Sequence, residues 1–194
     1  MPLSQIDPVA ALVVIDLQKG IVGLPMAHSA GEIVSRSALL AHAFRKQGWP
    51  VVLVNVAGRA PGRTDAGAPN FSFPPNWTEL VAELDQQPED YLITKHRPGA
   101  FLGTALDEIL RQRSVTQIFV TGVATSVGVE STARSAYDLG YNVVLVVDAM
   151  TDRDAETHLH CVEKRFPRLG ENVTTNEVLA RLNDTQALRV DEMH

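Results

Sequence analysis

The chain has 194 residues, 45% hydrophobic and 21% charged, with a formal net charge of −6. That composition lies near the globular average and excludes a disordered, collagen-like or disulfide-scaffold protein. Its basic residues are scattered, apart from the short run Lys95-His96-Arg97, which argues against a nucleic-acid partner.

The single cysteine, Cys161, cannot close an internal disulfide, so a reducing compartment fits. Residues 1–10 include Asp7 and lack the basic and apolar regions of a signal peptide. The apolar runs have strand length rather than membrane length. The expectation is a cytoplasmic protein with no membrane partner.

Along the chain, β-branched apolar runs at residues 9–15, 51–56, 91–94, 117–121 and 142–147 alternate with stretches of helical spacing. Strands apolar on both faces belong to a buried, mainly parallel sheet. Residues 29–47 predict a helix closed by Gly48, and Asn76 predicts a cap for a short helix reaching Leu84. Thr104 and Asp107 suggest a weak capping box opening the helix at 105–113. Further helices are expected at 127–139, 155–166 and 176–182, with a last strand near 171–173.

This alternation gives an α/β, doubly wound, mainly parallel sheet of about six strands with helices on both faces. A single domain over residues 1–194 is the simplest reading. The Gly/Pro-rich stretch 57–75 is long for a connection, and suits a binding loop or a surface excursion equally.

In open α/β sheets, ligands bind beyond the carboxyl ends of the strands. Asp16 follows the first run, Lys95 the third, and the segment from Gly122 to Gly128 the fourth. A carboxylate, an ammonium and a set of helix-opening amides are thus expected to converge. Each also has a structural reading, as a cap, a solvated lysine or a close packing contact.

Three motifs then become informative. They are Val14-Ile15-Asp16-Leu17-Gln18, the run from Lys95-His96-Arg97-Pro98-Gly99 to Phe101, and Thr121-Gly122-Val123-Ala124-Thr125-Ser126-Val127-Gly128-Val129-Glu130-Ser131. In that order they resemble the isochorismatase-like hydrolases over nearly the whole chain. The resemblance implies a Rossmann-like fold and catalytic roles for Asp16, Lys95 and position 128. Position 128 is Gly128 here, where most of that family has its cysteine. The resemblance also implies a non-proline cis peptide at Val123–Ala124; Gln18, Arg97, Phe101, Val123 and Ala124 are the expected substrate contacts.

Glycine has no nucleophilic atom, so covalent amidase chemistry is closed at that position. True isochorismatases resemble this chain in having a small residue there, and cleave a vinyl ether with the aspartate as general acid and water attacking. The resulting expectation is a hydrolase of a small, anionic molecule, without cofactor and assembled as a homodimer or homotetramer. The alternative is a lapsed family member that binds a small molecule or serves as a scaffold.

No metal site is expected, because Asn55-Val56-Ala57-Gly58-Arg59 stands where a nicotinamidase-type site would need aspartate and histidines. Arg59, Arg63 and Arg97 are candidate carboxylate binders. Trp77 and Phe101 suit either an apolar wall of the site or core packing.

Overall fold

A computed structural model describes residues 3–65, 67 and 73–191, with side chains through residue 183. Six parallel strands form one sheet: β1 (Ala10–Ile15), β2 (Val51–Val56), β3 (Tyr91–Lys95), β4 (Gln117–Val123), β5 (Asn142–Thr151) and β6 (Glu171–Val173). Their order is β3-β2-β1-β4-β5-β6, so the strand order reverses between β1 and β4. A crevice at that reversal is where doubly wound folds bind ligands.

All six residues of β1 are buried, because both of its faces are covered. The period of two divides them. Leu12 and Val14 pack in a cluster with Ile33, Leu40 and Phe44 of α2 (Ala30–Lys46) and with α6 (Thr175–Asp191). Ala11, Val13 and Ile15 pack on the opposite face. Their partners there come from α3 (Leu106–Gln112), α4 (Glu130–Asp138) and the segment around Phe166. A four-residue α1 (Lys19–Val22) follows β1, and α5 (Ala155–His160) follows β5.

Local chemistry fixes most boundaries. Ser29 Oγ accepts from the Glu32 amide to open α2, and Gly48 at φ +70° closes it. Asp154 caps α5 through the Thr157 amide at 2.7 Å.

The expected helix from Asn76 to Leu84 is corrected to turns followed by a short 3-10 helix, Ala82–Leu84. Its carbonyls are drawn away from helical partners. Trp77 O accepts from Gln18, and Thr78 O accepts from Asn55. The capping box at Thr104 also fails. Thr104 Oγ1 does accept from the Leu106 amide, but Asp107 turns to the Tyr141 hydroxyl at 2.6 Å.

The stretches read as continuous helices at 127–139 and 155–166 each contain a π-helical turn, Thr125–Val129 and Cys161–Arg165. Among the described residues, no helix is long and apolar enough to cross a membrane.

Candidate active site

Asp16 lies directly beyond β1, 6% exposed and in the left-handed region at φ +53°. A non-glycine residue there costs on the order of 1 kcal/mol, so its surroundings must hold it in place. The Asp16 amide donates to Val54 O of β2 at 2.9 Å, and Gly122 of β4 packs against the backbone of the preceding Ile15. At Gly122, φ +112°, a Cβ would stand 2.0 Å from Ile15 O, so only glycine fits that approach.

Lys95, the last residue of β3, is almost fully buried. Its Nζ donates to Asp16 Oδ2 at 2.8 Å and to Arg97 O at 3.2 Å. Asp16 Oδ1 is buried without a hydrogen-bond partner among the described residues. Burial pushes the Asp16 carboxyl up to about 6, against the opposing attraction and hydrogen bond of Lys95.

Position 128 stands beside this pair. A Cβ on Gly128 would lie 3.3 Å from Asp16 Oδ2, 3.1 Å from Val123 O and 2.8 Å from an Ile15 methyl carbon. The Val123–Ala124 peptide bond is cis.

A cavity of about 290 Å³ opens over these residues. The structure brings Asp16, Lys95, Gly128, Val123, Ala124 and Arg97 to its wall, which is otherwise formed largely by apolar side chains such as Ile21, Leu24, Met26 and Val127. No Ser, Thr or Cys lines it among the described residues. Arg59 and Arg153 also line the cavity.

Arg153 is a residue the sequence reading missed: it stands two residues beyond the end of β5, and six beyond the apolar run that marks the strand in the sequence. Neither Arg59, Arg97 nor Arg153 has an ion-pair partner among the described residues. Arg97 and Arg59 follow β3 and β2, whereas Arg153 follows β5. The guanidinium-bearing positions therefore follow strands on both sides of the β1–β4 reversal.

Two expected substrate contacts are corrected. Gln18 is fully buried as a strut. Its Nε2 donates to Trp77 O at 2.7 Å and Val56 O at 3.1 Å, while Oε1 accepts from the Val56 amide at 2.7 Å. Phe101 lies in the core, its ring 5.9 Å from that of Tyr141, and does not line the cavity. Trp77 donates to Val56 O and its ring covers Gly20. Arg63 is exposed and off the cavity wall. Of the 57–75 stretch, Gly58 to Ala60 reach the cavity, and residues 66 and 68–72 lie outside the described residues.

Cys161 is buried away from the cavity, with Sγ 3.3 Å from Glu130 Oε2. Burial, then the Glu130 hydrogen bond and charge, push its thiol up to about 12, so it is no ready nucleophile. Among the described residues, no three His, Cys, Asp or Glu side chains gather as a metal site would require.

Strand order, buried carboxyl and paired ammonium define an α/β domain with a buried carboxyl–ammonium pair beside its switch point. The isochorismatase domain family matches residues 10–177, and the chain belongs to that family, whose members are hydrolases. The isochorismatase family protein YwoC of Bacillus subtilis strain 168 is 41% identical over 179 residues, covering 89% of this chain and 93% of its own. The isochorismatase family protein YecD of Escherichia coli O157:H7 is 41% identical over 181 residues, covering 89% and 95%. An isochorismatase family protein structure from Burkholderia thailandensis superposes with a TM-score of 0.89 at 42% identity, covering 94% of this chain and 98% of that one.

Proposed function

We propose that this hydrolase cleaves a small anionic molecule by non-covalent acid–base catalysis, with a vinyl ether favoured over an amide as the scissile group. The observation that carries this reading is Asp16. It is a buried carboxyl raised to about 6, with one oxygen held by Lys95 and the other unpartnered, in a cavity lined by no hydroxyl or thiol among the described residues.

Protonated Asp16 donates to the terminal carbon of the vinyl ether. The resulting oxocarbenium ion takes up water, and the hemiketal collapses to a carbonyl compound and an alcohol. Lys95 fixes the Asp16 carboxyl in one orientation and keeps its pKa from rising further. The glycine at 128 leaves substrate room against Asp16, and Ala124 and Gly128 form the adjoining part of the cavity wall. Arg59, Arg97 and Arg153 supply carboxylate recognition over an otherwise apolar wall.

The test is a turnover panel of vinyl ethers, isochorismate included, and small amides, with Asp16→Asn as control. Vinyl-ether turnover that disappears in the variant while its circular dichroism is unchanged supports the reading. Undiminished activity of Asp16→Asn removes it. No turnover by either form across the panel favours a binding or scaffold role.

A further inference from the structure

The turn that carries Ala124 and Gly128 to the cavity is braced from its other side by side chains that do not line the cavity. Asp152, just after β5, accepts at Oδ2 from the Ser126 amide at 2.7 Å and the Ser126 hydroxyl at 2.8 Å. Beside it, Thr125 Oγ1 and His158 Nδ1 stand 2.8 Å apart. Thr125 is fully buried, and among the described residues His158 is the one hydrogen-bond partner of its hydroxyl. Inside the turn, the Val127 and Val129 amides both donate to Ala124 O, so displacing Thr125 displaces Ala124 with it.

We propose that His158 is a positioning residue: its neutral ring accepts the Thr125 hydroxyl proton at Nδ1 and so holds Ala124 and Gly128 in register with Asp16. Protonation makes Nδ1 a donor and leaves the buried Thr125 hydroxyl proton without an acceptor, which loosens the turn.

The surroundings favour the neutral ring. His158 is lowered from its ordinary value by burial first and by neighbouring His28 second, with the Asp152 carboxylate opposing. His28, on the segment before α2, meets the His158 ring edge-on at 4.7 Å while its Nδ1 lies 2.9 Å from Thr151 Oγ1. On its own helix, the charged groups N-terminal to His158 are Glu156, two residues before it, and the cap Asp154, engaged with the Thr157 amide. The turn Thr125–Val129 contains no titratable side chain.

The kinetic half of this inference rests on the acid–base reading above; the structural half does not. The structural half is tested in full-length Asp16→Asn protein, where the Asp16 titration is absent. ¹H–¹⁵N spectra are recorded from about pH 4.5 to about pH 8, a window spanning ordinary histidine titration. The amides of Ala124, Ser126 and Gly128 are expected to move with the midpoint of the His158 ring, below its ordinary value. They lose that midpoint when His158→Gln is added. Amides that ignore the His158 titration, or keep their midpoint in the glutamine variant, overturn the brace.

In protein with Asp16 intact, His158→Ala is expected to lower kcat about tenfold with KM little changed. His158→Gln, which still accepts from Thr125 but does not titrate, retains neutral-pH kcat and loses the decline on the acid side. An equal loss in both variants at every pH, or a loss confined to KM, contradicts a positioning role. If the spectra behave as expected but no substrate turns over, the brace stands and the hydrolase assignment falls.

Discussion

Asp16→Asn makes a stability prediction that needs no substrate. Burial holds the Asp16 carboxyl at about 6 in the fold, against an ordinary 3.8. Between those values the native state binds more protons than the unfolded chain, so its stability falls as the pH rises. The gap corresponds to about 3 kcal/mol over the whole transition. About 2 kcal/mol of that falls between about pH 4 and about pH 6.5.

Asparagine does not titrate, and the other ionisable groups are common to both proteins. The difference in unfolding free energy, wild type minus Asp16→Asn, is therefore expected to drop by about 2 kcal/mol over that interval in urea titrations. A constant difference would refute the reasoning. So would one that grows with pH, because Lys95 would then be holding Asp16 as a carboxylate rather than failing to offset its burial.

Other outcomes follow from the geometry. Gln18→Ala strands the Val56 amide and leaves Trp77 O and Val56 O with one donor each, from the Gly20 amide and the Trp77 indole, and is expected to cost about 2 kcal/mol in chemical denaturation without a selective rise in KM. Gly122→Ala places a Cβ against the Ile15 carbonyl at a positive φ, and is expected to yield no soluble folded protein; normal solubility and an unchanged melt would contradict the packing described. Arg97→Ala and Arg153→Ala are each expected to raise KM about tenfold for an anionic substrate while leaving kcat nearly intact, and no KM change in either would remove it as a carboxylate anchor. Iodoacetamide at about pH 8 is expected to label Cys161 only after unfolding, because burial and Glu130 keep the thiol protonated; fast native labelling would contradict that placement.

The sheet was legible because all but one of its strands stand out as apolar runs, a result of burial on both faces for β1, β2, β4 and β5, whereas β3 exposes Leu92 and Thr94 on one face. β5 was read four residues short, since Asp148 interrupts its pattern. That carboxylate is used locally, accepting from the Thr175 amide and hydroxyl at the start of α6. Asp16 and Lys95 were legible from the rule that ligands gather at strand ends, whereas Arg153 was missed because the true end of β5 lies four residues beyond the apolar run.

Gln18 and Phe101 were misread because a motif conveys neighbourhood but not direction. Gln18 follows Asp16 by two residues and turns inward to stitch β2 to the Trp77 segment. The π-turns at Thr125 and Cys161 were invisible because helical periodicity barely changes over a five-residue turn. The His158–Thr125 contact joins residues 33 apart in sequence, so it follows from the packing of α5 on the turn and from no local signal.

The most direct test of Asp16 as general acid is the pH dependence of kcat/KM on a vinyl-ether substrate. The account predicts full activity only while Asp16 is protonated, with a fall of about tenfold per pH unit above about 6. Activity that instead rises through that pH and levels off on the alkaline side would show the carboxylate acting as a base, and would contradict the mechanism.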